Sequence, residues 1–380
     1  MKRVTVVLAV IVVILVCLTI FSSADWFTTP QANREFYVGA EYAYGSNPTE
    51  VKALVNKVKG YTNLLVLGSA DLTFNESALT ESCDYIADAG LHFIIMFTDI
   101  TKYTYNTSLW TSNAQEKYGS LLLGIYRYDE PGGIQLDQPA SRPYSIMVPE
   151  ADNYTDAANQ YTNYMYYHVD YYHLYFDNVS VFTADYGLYW YDYKASYDTI
   201  LAEFVWNQSR LTPIALCRGA AETQGKDWGV IVTWKYDQEP YLESGDELYS
   251  DLRLAYDAGA KYAVVFSYPV TGDYGTLTEA HFDALERFWD SIQNDQSFYE
   301  SKAEAVYVLP RDYGFGFRSA EDTIWGVFRA DKLSAKIWAD VNLLEAQYGS
   351  RFNIIYDDGI DVSKINQSYR YVYFWNQTIS

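Results

Sequence analysis

The feature that most restricts the fold of this 380-residue chain is an alternation of element types that begins at residue 36. Short apolar or β-branched runs start near Phe36 (FYVGAE), Asn63 (NLLVLG), His92 (HFIIMFTD), Leu121 (LLLGIYRYDE), Val179 (VSVFTAD), Pro213 (PIALCR), Gly229 (GVIVTWK) and Tyr262 (YAVVFSY). Between them, Val51/Leu54/Val55/Val58, Leu79/Cys83/Ile86/Ala87, Ile200/Leu201/Phe204 and Phe282/Leu285/Phe288/Trp289/Ile292 recur at helical spacing, as helices covering a sheet must. Eight such units over roughly 260 residues predict an α/β fold of the (β/α)8 TIM-barrel type. The barrel is expected over 35–295, after a linker at 25–34.

Two places break the rhythm. Only GAAETQGKDW separates the sixth and seventh predicted strands, too short for a full helix. After the fourth comes the insertion PGGIQLDQPASRPYSIMVPEADNYTD, a candidate lid, because long loops at the C-terminal ends of barrel strands shape the active face. The helix that follows, about Ala157 to Phe176, carries seven tyrosines, read chiefly as amphipathic packing. Past Asn294, a strand at Ala305–Leu309, a helix at Lys332–Gln347 and strands at Phe352–Tyr356 and Tyr369–Trp375 predict a small α/β appendage over 296–380. With three strands at most it is expected to dock on the barrel or on another subunit.

The N-terminus stands apart. Lys2 and Arg3 precede an apolar run from Val4 to Phe21, and Ser22-Ser23-Ala24 offers small residues for cleavage. Residues 1–24 read as an export signal or, if uncleaved, a membrane anchor, so the remainder is expected to be extracellular or at the cell surface. Seven Asn-X-Ser/Thr sequons (Asn75, Asn106, Asn153, Asn178, Asn207, Asn366, Asn376) fit that reading. Cys83 and Cys217, the two cysteines beyond the signal, read as buried thiols. A net charge of −22 argues against nucleic acid and anionic lipid surfaces, leaving the membrane as a partner only through the N-terminal segment.

The predicted strand ends supply Glu41, Asp71, Asp99, Asp129-Glu130, Asp185, Arg218, Trp234-Lys235 and Ser267-Tyr268. There is no G-x-S-x-G, no HExxH and no D-x-[DN]-x-[DN]-G calcium loop, and the four histidines are scattered, so no metal or other cofactor is called for. RDYGFGFRS lacks phosphate-loop spacing. Carboxylates flanked by Tyr and Trp suit sugar chemistry, with two acids for protonation and attack and aromatic faces for pyranose rings.

The strongest local signal is Tyr126-Arg127-Tyr128-Asp129-Glu130-Pro131-Gly132-Gly133, where adjacent carboxylates meet a Pro-Gly turn at a strand end. Here the chain resembles the (β/α)8 glycoside hydrolases, many of which carry an acid/base Glu in Asn-Glu-Pro after strand four. That resemblance implies a proton-donor role for Glu130. It departs at strand seven, where the retaining enzymes place a nucleophilic Glu and this chain has Trp234-Lys235, with Glu239 four residues on. Through YDEPGG, CRGAA and VLPRDYG the chain after the signal is also similar to exported archaeal glycosidase-like proteins, and the appendage is loosely similar to flavodoxin-like accessory domains.

Alternation along the strands groups Tyr37/Gly39/Glu41, Phe93/Ile95/Phe97/Asp99, Val179/Val181/Thr183/Asp185 and Ile214/Leu216/Arg218, and puts Glu130 inward with Tyr126 and Tyr128. Candidate catalytic residues are therefore Glu130, Asp185, Glu41, Asp129 and Asp99. Candidate substrate-binding residues are Tyr128, Tyr186, Arg218, Trp234, Lys235, Glu239 and Tyr268. Arg218 could hold a neighbouring carboxylate ionised, bind an acidic sugar or form a structural ion pair. The expected partner is an oligosaccharide or polysaccharide. The expected function is glycoside hydrolysis, the alternative a non-catalytic glycan-binding barrel.

Overall fold

Eight parallel strands, β1 (Tyr37–Tyr42), β2 (Leu64–Leu67), β3 (His92–Phe97), β4 (Leu122–Arg127), β5 (Ser180–Asp185), β6 (Thr199–Phe204), β7 (Asp227–Val232) and β8 (Tyr262–Val265), pair in sequence order, and β8 closes on β1. This is the TIM barrel expected. The computed structural model describes residues 35–98, 100–138, 146–176, 179–293, 302–359 and 362–379. The signal segment, the linker, Asp99 and the expected boundary at 295/296 lie outside these described residues.

The helices are α1 (Pro48–Val58), α2 (Ala70–Thr73), α3 (Glu76–Asp88), α4 (Thr107–Tyr118), α5 (Pro131–Asp137), α6 (Tyr154–Tyr175), α7 (Tyr189–Lys194), α8 (Leu211–Gln224), α9 (Gly245–Asp257), α10 (Glu279–Gln293), α11 (Lys332–Tyr348) and α12 (Val362–Ser368). Asn75, Asn106 and Asn153 are N-caps of α3, α4 and α6, their side chains accepting from Ala78, Leu109 and Asp156 N–H. Capping thus gives three of the seven sequon asparagines a backbone role of their own. Cys83 and Cys217 are buried and free.

The barrel interior alternates bulk with absence. Tyr37, Tyr126, Phe182 and Tyr262 form one buried cluster with Leu64, Val66, Ile94, Leu201 and Val264. A Cβ on Gly124 would lie 2.5 Å from the Phe182 ring, and one on Gly229 would lie 2.6 Å from Tyr262 Cβ. Glycine there makes room for the large rings.

The structure corrects the sixth unit. Pro213–Arg218, expected as a strand, belongs to α8, and Ile200/Leu201/Phe204, expected on a helix, belong to β6. Short apolar runs fit either period when all residues are buried, as all six of β6 are. Leu, Ala and Cys continue helically from a proline within the first turn of α8, where its missing N–H costs no intrahelical bond. The short GAAETQGKDW is the second half of this helix, Gly225, which ends it at φ +65°, Lys226, and the first two residues of β7.

Strand parity also differs. The interior of β3 is Ile94 and Met96, and that of β5 is Phe182 and Ala184, so the Phe93 and Val181 sets face the helices. Parallel strands buried on both faces carry no polar side to fix the phase.

The appendage is a parallel sheet ordered β10 (Phe352–Tyr356), β9 (Ala305–Leu309), β11 (Tyr371–Phe374). It docks on the barrel. Arg218, 1% exposed, projects from α8 and donates to Asn353 Oδ1 (2.8 Å), Ser350 O (2.6 Å), Phe352 O (3.0 Å) and Ala258 O (3.0 Å). Trp325, fully buried, packs on Tyr161 and Tyr191. Gln135 in the expected lid donates to Trp325 O and Val148 O and accepts from Met147 and Val148 N–H, which fixes this part of the insertion in place.

Candidate active site

The C-terminal mouth of the barrel opens into a cavity of about 680 Å³, within the usual range for small-molecule sites. Five carboxylates reach it: Glu41 from β1, Asp129 and Glu130 after β4, Asp137 at the end of α5, and Glu203 from β6.

Glu41 is 5% exposed and lies across Gly68, where a Cβ would come within 1.7 Å of Oε1. Burial, then the charge of Asp129, pushes its carboxyl up to about 8. Ser267 donates to Glu41 O and accepts from Ala43 N–H, joining the end of β1 to that of β8.

The turn after β4 is built at some cost. Tyr128 (φ 59°) and Glu130 (φ 50°) both occupy the left-handed region, which disfavours side chains by about 1 kcal/mol or more each. Bonds from several elements hold it. Glu130 N–H donates to Ala184 O (3.0 Å), and Tyr126 Oη donates to Asp129 Oδ1 (2.5 Å) while accepting from Ala184 N–H (2.9 Å). Asp185, fully buried, accepts from Gly132 N–H (2.5 Å), Gly133 N–H (2.8 Å), Tyr186 N–H (2.7 Å) and Gly187 N–H (3.1 Å). The paired glycines follow from this geometry. A Cβ on Gly132 would meet Gly187 O at 2.4 Å, and one on Gly133 would meet the Tyr186 ring at 2.1 Å.

This turn sends both acids into the pocket and Tyr128 out of it. Tyr128 Oη lies 3.2 Å from Tyr164 Oη, with its ring beside His168, so strand alternation does not extend through the left-handed residues. Asp185 sits behind the wall as an anchor of the turn. Burial raises its carboxyl to about 7, opposed by the N–H bonds it accepts.

Sequence reasoning missed Glu203. It is 5% exposed, hydrogen-bonded to Glu130, and held well above the usual carboxylate range by burial, then by the charges of Glu130, Asp129 and Asp185. Its signal was present in TILAEF, an apolar run ending on an acid like VGAE and FTAD, and was lost when the run was assigned to a helix.

One wall is aromatic: Trp206, Trp234, Phe266 and Tyr268 line it, with Trp234 stacked on Tyr268 at 6.3 Å and 20°. Trp234 Nε1 donates to Tyr268 O at 2.6 Å. On the opposite rim, Tyr186 Oη donates to Asp137 (2.6 Å), and Arg318 from the appendage ion-pairs with both Asp137 and Asp322.

The remaining candidates are elsewhere. Arg218 lies under the appendage, because its strand is a helix. Lys235 pairs with Glu247, and Glu239 is exposed on the loop that follows; neither lines the cavity. The structure therefore brings together Glu41, Asp129, Glu130, Tyr186, Trp234 and Tyr268, and adds Glu203, Trp206, Asp137 and Arg318.

A parallel eight-stranded barrel with acids at its C-terminal mouth defines the class: a (β/α)8 barrel protein with a candidate site at the usual face. Neither a protein-family model nor a curated protein sequence matches the chain. Among solved structures it is similar to a polyextremophilic β-galactosidase from the Antarctic haloarchaeon Halorubrum lacusprofundi, at TM-score 0.58 and 11% identity over 89% of this chain and 69% of that one. It is similar too to the catalytic module of a family 98 glycoside hydrolase from Streptococcus pneumoniae TIGR4, at TM-score 0.52 and 12% identity over 90% and 66%. A β-galactosidase from the psychrophilic Marinomonas ef1 follows at TM-score 0.50 and 10% identity over 85% and 70%. At such identities the likeness is one of fold.

Proposed function

We propose that the protein is a glycoside hydrolase whose working pair is Glu130 and Glu203. The observation that carries this reading is their direct hydrogen bond inside a cavity walled by Trp206, Trp234 and Tyr268. Two carboxyls in contact share one proton, because both cannot ionise side by side. Burial puts that proton on Glu203. A sugar stacked on the aromatic wall presents its anomeric carbon to the pair. Glu130 carboxylate attacks that carbon as the glycosidic C–O bond breaks, and the Glu203 proton passes to the departing oxygen. Water, losing a proton to Glu203, then releases the sugar from Glu130. Carboxyl separation sets the stereochemical outcome, about 5 Å for retention and 6.5 Å or more for inversion, and the direct interaction of this pair favours retention. These roles reverse the one that the glycoside-hydrolase resemblance gives Glu130.

Two of the structural neighbours are β-galactosidases, so 2,4-dinitrophenyl and p-nitrophenyl β-D-galactopyranosides are the first probes. An acid variant keeps activity on the better leaving group, whereas a nucleophile variant loses both. We expect Glu203→Gln to retain most of kcat/KM, which reports the first step, on the dinitrophenyl substrate and to lose ~100-fold or more of it on the p-nitrophenyl one, while kcat falls on both because water loses its base. Glu130→Gln should lose ~1000-fold or more on both. The opposite pattern would restore Glu130 as the donor. The end of β7 carries Thr233 and Trp234 and no acid, which favours the second reading, a glycan-binding barrel. Binding without turnover across a glycan panel would establish it. The signal-like residues 1–24 support action outside the cytoplasm.

A further inference from the structure

The main cavity does not end at Glu203. A second chamber of about 210 Å³ continues beyond it and shares Tyr186, Glu203, Gln208 and Arg318 with the first. The barrel contributes Tyr189 and Leu216 to its walls, and the appendage contributes Phe317 and Trp338. At roughly 30 Å³ per water it has room for about seven waters, the size class of one sugar ring.

Its chemistry suits a neutral sugar. Aromatic surfaces of Tyr189, Phe317 and Trp338 stand among the amides of Asn207 and Gln208 and the hydroxyl of Ser209, the mixture of apolar faces and spaced polar groups that a pyranose matches. The Arg318 guanidinium is already engaged by Asp137 and Asp322, so it does not call for an anionic ligand.

Resting on the hydrolase reading, we infer that this chamber is a second sugar subsite, adjoining the main cavity at Glu203. The appendage is thereby part of the substrate site, and the favoured substrate is a chain long enough to fill both the main cavity and this chamber.

The test compares β-1,4-galactotetraose with p-nitrophenyl β-D-galactopyranoside in the full-length protein, in Trp338→Ala, and in Leu216→Trp, which fills the chamber from the barrel side. Thermal melts confirm that each variant folds. The expected result is a wild-type preference for the tetraose in kcat/KM that drops at least tenfold in both variants, mainly through KM. Variants that change both substrates by the same factor, or a wild type with no preference, would overturn the subsite and leave the hydrolase reading standing. A wild type that turns over neither these substrates nor any glycan of the panel defeats the hydrolase reading on its own. Calorimetric titration with the tetraose then decides the chamber: binding weakened at least tenfold in Leu216→Trp supports it, and equal binding or none refutes it.

Discussion

Glu41 shows what the crowding of acids costs. Its proton is retained to about pH 8 in the folded protein, against roughly 4.3 for a free glutamate. Below about pH 4.5 both folded and unfolded chains hold the proton, and stability is unaffected. As pH rises the unfolded chain ionises first, so the folded state loses stability progressively until the folded group also ionises near pH 8. Glu41→Gln removes that titration. The variant should gain little at pH 4.5 and on the order of a few kcal/mol at pH 8. Urea unfolding at several pH values measures this, and an advantage independent of pH would refute it. A site crowded with acids thus trades stability at neutral pH for proton-holding groups.

The turn between β4 and α5 is the element on which the site depends. Left-handed Tyr128 and Glu130 are tolerated only because Asp185 holds the first N–H groups of α5, and Asp185 reaches them only because residues 132 and 133 lack a Cβ. Gly133→Ala should drive the Tyr186 ring from its seat, destabilise the protein by about 1–3 kcal/mol and weaken substrate binding through the displaced wall. A melt within 1 °C of wild type with unchanged KM would contradict this. DEPGG was legible in the sequence because Pro and Gly have local meanings. The strand phase in β3 and β5 was not, since burial on both faces erases the alternation, and Asp185 was therefore read as pocket-facing when it anchors the turn. The exchange of β6 and α8 had larger consequences: one short apolar run read with the wrong period moved Arg218 into the site and Glu203 out of it. The appendage read well because Lys332–Tyr348 is long enough for its period to be unambiguous.

At the scale of the whole molecule, barrel and appendage share one site and one buried cation. Arg218 has Asn353 and the carbonyls of Ser350 and Phe352 as partners, all supplied by the appendage, so Arg218→Ala should cost about 3 kcal/mol, read from chemical denaturation. A chain ending at Gln293 should fail to give a soluble, cooperatively melting barrel, because it also bares the surface covered by Trp325 and Tyr356; a soluble truncation with a sharp transition would disprove this. The same contacts set an order in time. Arg218 leaves the ribosome 132 residues ahead of Ser350, roughly 7 to 26 s earlier at ordinary rates of synthesis. From the completion of β8 at Val265 until Ser350 is made, all eight strands of the nascent barrel can exist while a guanidinium meant for burial still faces water. Maturation of the pocket therefore waits on the last stretch of chain to be made, and shielding the unfinished protein matters most during the synthesis of residues 294–353.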